Sequence, residues 1–419
     1  LIERGTLANG VTLLCEPVTT TETCAIGFWF PTGSRDERRH ERGLSHFLEH
    51  MLFKGTECRS ALDIAVQIDR VGGNINAFTD RETTCFYCTL PAAHADLAVE
   101  VLCDMVSSAT LAEADIEKEK VVVCNEIRAA DDSPEEQSYQ LFLERMWGAH
   151  PLAVRVAGTE ADVQRTDRDA LAAFYRHRYH PGNLMVTAAG DVNCDAVAST
   201  VSERLAAGGE PTAAEPRVPP AQRRAQDFAD SDFQQAQIYA ATTLPPGTAP
   251  ATYYALLVLS TAFGESMSSR LFQRIREDEG LCYSVETFRS HYSDVWKWGI
   301  YANALPELTA RLLAALNEEL HRLADHPPTV SEVDDAISHL TGSMVFAKED
   351  METRMKRIAG QYQLFGDVTE LDQAAHLLQS ITADDVAAIT ARLLQPGHFN
   401  LLVYGAGESN GPGQAPFDW

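Results

Sequence analysis

The spacing of apolar and polar positions changes period several times along the chain, and each change marks an element. Two short apolar runs, residues 11–15 and 24–30, lie either side of a Thr-rich turn after Pro17 and read as strands. In the block from Gly43 to Gly55, Phe47, Leu48, Met51 and Leu52 suit the buried side of a helix, while His46, Glu49 and His50 recur at i, i+3 and i+4. Gly55-Thr56 ends that helix. Ser60-Ala-Leu-Asp63 is a capping box with Asp in place of Glu, opening a helix whose inner face is Ala61, Ile64, Ile68 and Val71 and which Gly72-Gly73 closes. Residues 74–79 and 83–90, turned by Asp80-Arg81-Glu82, form a strand pair. Helical periodicity follows at 93–109, 112–129 and 134–147, broken at Asp132-Ser133-Pro134. From Arg168 to Gly190 the pattern is helix, turn, buried strand. His177 and His180 sit at the end of that helix, where cations suit the dipole, and read as structural.

The second half repeats the first. Asp169, Ala172-Ala173, Pro181-Gly182 and Gly190 recur as Asp384, Ala387-Ala388, Pro396-Gly397 and Gly405, at one constant offset of 215 positions. The expected fold class is α+β: two homologous α/β domains from an internal duplication, arranged as a two-lobed, clam-like subunit with a cleft between the lobes. Boundaries follow at 1–207 and 227–406, with a Pro/Ala-rich linker at 208–226 and a loose Gly/Pro-rich tail at 407–419. Residues 306–394 are helical and amphipathic and carry no catalytic constellation.

Composition narrows the function classes. With 419 residues, 45% of them hydrophobic, the chain can bury large cores in two or more domains. No apolar run is long enough for a membrane span. The first residues resemble neither a signal peptide nor a transit sequence, which points to a cytoplasmic protein; the initial Leu leaves an organellar or processed form open. A net charge of −26 argues against nucleic acid and anionic membranes as partners; it suits cationic substrates but more commonly serves solubility. Nine cysteines without framework spacing suggest reduced thiols. Cys85 and Cys88, three apart in a strand, face opposite sides and read as core.

Chemistry concentrates in two stretches. His46 and His50, one helical turn apart, can grip one metal ion, and Glu49 lies beside their face without having to be a ligand, placed as a general base. Two histidines four apart also arise by chance, so a third ligand is needed. On the helix at 112–128, Glu119 and Glu126 are seven apart and share a face. By themselves they read as a solvated acidic surface.

His46-x-x-Glu49-His50, followed by Glu126 76 positions after His50, resembles the pitrilysin/insulinase-type zinc peptidases (inverzincins), in particular the two-domain, processing-peptidase-like subgroup. The resemblance implies that His46, His50 and Glu126 bind one Zn²⁺ per subunit, leaving a position for water. Glu49 would be the general base, and Glu119 would orient a ligand. Asn76, Ala77, Phe78 and Thr79 would form the sheet edge that pairs with an extended peptide substrate. The second half lacks the zinc motif, since residues 253–263 carry neither His nor Glu. Instead Arg276 and Tyr283, seven apart, match a pair that in the family reaches across to hold the substrate and stabilise the oxyanion. The implied activity is that of a zinc endopeptidase for extended or unfolded peptides. Its implied partners are peptides and a second subunit, in a homodimer or a heterodimer with an inactive homologue. The rival reading is a catalytically silent scaffold or assembly subunit of the same family. Such subunits typically have broken zinc motifs, whereas His46, Glu49, His50 and Glu126 are all present here.

Overall fold

The computed structural model describes residues 1–206, 216–247, 249–406 and 417–419. They fall into two compact units, each built on one sheet.

The first sheet comprises β1 (Glu3–Thr6), β2 (Thr12–Pro17), β3 (Thr23–Phe30), β4 (Asn74–Thr79), β5 (Thr84–Pro91) and β6 (Met185–Gly190), in the order β1-β2-β6-β3-β5-β4. Only β2 and β6 run parallel. β3 is apolar at successive positions because both its faces are covered. Cys24, Ile26, Phe28 and Phe30 join the core under the helices Leu44–Leu52, Ala61–Asp69, Ala95–Ser108 and Cys194–Arg204. Ala25 and Trp29 face the opposite layer, with Leu14, Cys85 and Met185.

The second sheet comprises β7 (Gln226–Ala229), β8 (Ala236–Leu244), β9 (Ser284–His291), β10 (Trp296–Ala304) and β11 (Asn400–Tyr404), in the order β7-β11-β8-β10-β9. Here β7 and β11 are the parallel pair. β2, β6, β3, β5 and β4 thus correspond to β7, β11, β8, β10 and β9, and the duplication inferred from the repeat is present in the topology. The same offset carries the helix Arg168–Arg178 onto Ala383–Leu393, and its N-cap Asp167 onto Thr382. It also carries Gly190 (φ +119°) onto Gly405 (φ +87°), two positions where the left-handed backbone favours glycine.

The division at 207 and 227 needs correction, because the halves exchange helices. The first unit is Leu1–Ala130, Val154–Pro216 and Phe346–Glu370; the second is Asp131–Ala153, Arg217–Val345 and Leu371–Trp419. The cause is the uncovered back of each sheet. Leu14, Trp29, Cys85 and Met185 are sealed by Met351, Met355, Ile358 and Ala359 of the helix Met351–Phe365. Tyr239, Ala241, Tyr301 and Leu402 are sealed by Phe142, Leu143, Met146 and Trp147 of the helix Pro134–Trp147. Each helix is apolar on the face that its non-adjacent sheet needs, a match that local periodicity does not reveal.

Three further expectations change. Cys15 in β2 and Cys194 at the start of its helix form a disulfide across 179 positions, so the thiols are not uniformly reduced. After β6 the chain turns at Gly190 and lays that helix over β2, which brings the two Cα atoms to 5.9 Å. Cys85 and Cys88 are free and buried, as core residues should be. Most of the supposed loose tail lies outside the described residues, but Phe417 and Trp419 are buried against Phe399. Of the linker, 208–215 also lie outside, and Gln226 already begins β7. Among the described residues no helix is long and apolar enough to cross a membrane.

Candidate metal centre

The site is built on the helix Leu44–Leu52, whose Leu44, Phe47, Leu48, Met51 and Leu52 are buried and fix its rotation on the sheet. Its start is held from outside. Glu37 accepts the N–H of Gly43 at 2.8 Å and of Ser45 at 2.7 Å, satisfying donors that a helix leaves open. Gly43 has φ +83°, and a Cβ there would stand 2.7 Å from the Ala157 carbonyl oxygen, so only glycine permits this close approach.

With the helix so fixed, the imidazoles of His46 and His50 leave one face with ring centroids 4.8 Å apart. The helix Glu113–Asp131 brings Glu126 opposite them. His46 Nε2 lies 3.4 Å from one Glu126 oxygen and His50 Nε2 3.4 Å from the other. One ligand atom from each of the three residues falls within 4.8 Å of the others, and this is the only such His/Cys/Asp/Glu group among the described residues.

The same helix carries Glu119 two turns earlier, 4% exposed. One of its oxygens is 3.2 Å from His50 Nδ1 and the other 2.6 Å from Lys54 Nζ. A carboxylate can only accept, so both ring nitrogens of His50 donate, Nδ1 to Glu119 and Nε2 to Glu126, and a metal bound at Nε2 would replace the proton there. Lys54 had no place in the sequence reading. Its signal was available as i+4 from His50, but its partner is 65 positions distant.

Electrostatics follow the geometry. Hydrogen bonds from His46 and His50 hold the Glu126 carboxyl well below the usual carboxylate range. For His50, burial works to lower the pKa, but Glu126 and Glu119, with Glu49 adding a smaller share, outweigh it and raise the value. Glu49 points one oxygen into an enclosed space where it finds no hydrogen-bond partner, and His46 Nδ1 is likewise enclosed and unpartnered.

Two other expected groups lie elsewhere. β4 is the last strand of its sheet and pairs with β5 alone, so the outer edge of Asn76, Ala77, Phe78 and Thr79 carries no strand partner, although the Ala77 N–H donates to Asn76 Oδ1 at 2.8 Å. Arg276 and Tyr283 belong to the second unit, where the structure brings them together. The guanidinium lies 5.0 Å from the Tyr283 ring and 4.8 Å from that of Phe272, and Tyr283 is 71% exposed.

Residues 13–160 match the family described as insulinase (peptidase family M16), and residues 165–340 match the peptidase M16 inactive domain. An uncharacterised zinc protease of Streptomyces coelicolor is 35% identical over 94% of this chain and 87% of its own length. This chain belongs to peptidase family M16. Among solved structures, a protease from Helicobacter pylori superposes with a TM-score of 0.86 at 21% identity, covering 96% of this chain and 99% of that one. A chain of complex III from Candida albicans does so with a TM-score of 0.81 at 19% identity, covering 97% of each. At these identities the two structures speak for the M16 fold alone. The inactive-domain match covers the half in which residues 253–263 carry no metal ligand.

Proposed function

We propose that this M16 chain is a zinc-dependent endopeptidase that cleaves extended or unfolded peptides. The observation that carries the reading is the convergence of His46 Nε2, His50 Nε2 and the Glu126 carboxylate beside an unpartnered Glu49 oxygen. The donor set fits zinc. Two imidazole nitrogens and a carboxylate are the ligand types of zinc; each histidine lies 3.4 Å from a different Glu126 oxygen, and one ligand atom from each of the three residues lies within 4.8 Å of the others. Three ligands without a thiolate leave the fourth position open, as catalysis requires.

A zinc ion held by His46, His50 and Glu126 would polarise the scissile carbonyl and make water more acidic. The remaining work falls to the protein. Glu49 takes the proton of the attacking water and passes it to the leaving amine. Glu119 keeps the proton of His50 on Nδ1, freeing Nε2 as a ligand. The β4 edge takes the substrate main chain by strand addition, which selects an extended backbone rather than a sequence. Arg276, whose guanidinium lies over the rings of Phe272 and Tyr283, and the exposed Tyr283 are donors of the second unit suited to a peptide backbone. One chain therefore carries every group the reaction needs, which favours a homodimer over a pairing with an inactive homologue.

The scaffold reading shares the fold, since the chain from complex III has it too. The complete set of His46, Glu49, His50 and Glu126 argues for the enzyme. The test is cleavage of unstructured peptides, followed by mass spectrometry, before and after zinc removal by a chelator. Activity lost with zinc and restored by adding it back supports the peptidase; no cleavage by protein with zinc bound supports the scaffold.

A further inference from the structure

The two histidines of the metal centre are supported in different ways. His50 Nδ1 is held by Glu119, which Lys54 holds in turn. His46 Nδ1 is enclosed and has no hydrogen-bond partner, so no side chain fixes its ring through that nitrogen. Its direction therefore depends on the backbone that carries it. His46 is the third residue of the helix Leu44–Leu52, in the turn whose N–H groups find no carbonyl within the helix. A first turn left to water frays, and a ring carried on it wanders.

One short loop ties that turn down. The N-cap residue is Gly43, which has no side chain to cap with, and the Ala157 carbonyl leaves no room for one. The task passes to Glu37. Its Oε2 accepts the Gly43 N–H at 2.8 Å and its Oε1 the Ser45 N–H at 2.7 Å, while the Leu44 N–H goes to the Glu41 carbonyl at 2.9 Å. The three successive N–H groups before His46 are thus held by residues of the loop 37–41. Two oxygens of one rigid carboxylate, on N–H groups two residues apart, restrain both the position and the rotation of the turn. The loop is itself anchored. Ser34 and Arg35 donate their N–H groups to the Asp80 and Arg81 carbonyls at 3.2 and 2.8 Å, and the Arg178 guanidinium donates to the Asp36 carbonyl at 2.8 Å.

We propose that Glu37 is a positioning residue of the metal centre: through the backbone of Gly43 and Ser45 it sets the direction of His46, as Glu119 does for His50 by touching the ring. The inference rests on the zinc reading of the site, and its test needs no turnover. Burial pushes the Glu37 carboxyl up to about 8 against the pull of its two N–H donors, so the proteins are compared at about pH 9, with the carboxylate ionised. Glu37→Gln keeps the length of the side chain but leaves one acceptor for two donors. Its zinc affinity, read by competition with a chromophoric chelator, should fall about tenfold, the low end of what losing an outer support of a ligand costs. Ser60→Ala is the control. It removes the cap of the helix Ala61–Asp69 and lowers stability, but should leave zinc affinity unchanged. An equal loss in both variants, or no loss in Glu37→Gln, overturns the proposal. Histidine ring NMR signals of the metal-free protein, assigned with His46→Gln and His50→Gln, give a second readout. In Glu37→Gln the His46 signals should move or broaden while those of His50 stay; unchanged His46 signals overturn the proposal. Wild-type protein that binds no zinc defeats the zinc reading alone, and the ring signals then decide the role of Glu37.

Discussion

Lys54 Nζ stands 2.6 Å from one oxygen of Glu119, whose other oxygen is 3.2 Å from His50 Nδ1. Ammonium, carboxylate and imidazole thus form a chain that begins and ends on the same stretch, one helical turn apart. A carboxylate as buried as Glu119 needs a countercharge, and Lys54 provides it while fixing which oxygen faces the ring. Lys54→Met should lower zinc affinity roughly 10- to 100-fold, the usual cost of losing an outer partner of a ligand. Lys54→Arg should recover most of it. Competition with a chromophoric chelator measures both, and equal affinities in all three proteins would remove Lys54 from the site.

The pKa directions set opposite pH trends for metal-free and metal-loaded protein. The folded His50 value is raised above its ordinary 6.5, so its contribution to stability is full below 6.5 and is lost as pH rises through the folded value. The folded Glu126 value is lowered from 4.5, so its contribution is present above 4.5 and is lost as pH falls through the folded value. Without metal, this pair should stabilise most between about 4.5 and 6.5. Zinc must displace the His50 proton, so zinc stabilisation should grow as pH rises. Melting curves from pH 5 to 8, with and without zinc, should diverge upward in pH; the divergence should flatten in His50→Gln.

At the head of the metal helix, Gly43→Ala meets both a positive φ and a Cβ contact of 2.7 Å with the Ala157 carbonyl. A loss of about 1–3 kcal/mol in unfolding free energy is expected. Denaturant midpoints read it directly.

The Cys15–Cys194 bond ties β2 to the helix that begins at Cys194. Cys194→Ser should cost about 2–4 kcal/mol and leave melting insensitive to reductant, whereas the unmodified protein should melt lower when reduced. Neither residue touches the metal centre, so zinc affinity should hold in the folded protein.

What was legible in the chain was local or periodic. The His46–Glu49–His50 spacing needs only a helix, and the capping box at Ser60 forms as written, with Asp63 Oδ2 accepting the Ser60 N–H at 3.0 Å. The offset repeat anticipated which strands correspond. What escaped depends on contacts distant in sequence. β1 is exposed along its whole length, so no apolar alternation marks it. The Lys54–Glu119 pair, the disulfide and the exchanged helices join residues whose partners are set by tertiary packing. Glu37 belongs with them, because a carboxylate seven positions before a helix reads as surface until the loop folds back onto Gly43.

The most direct measurement compares wild-type protein with Glu49→Gln, each assayed for bound zinc and for cleavage of unstructured peptides. The substitution keeps the shape of the side chain and touches no metal ligand, so zinc should remain bound while turnover falls about 10²- to 10⁴-fold. Glu49→Gln that keeps both its zinc and full activity would contradict a site in which this carboxylate moves the proton.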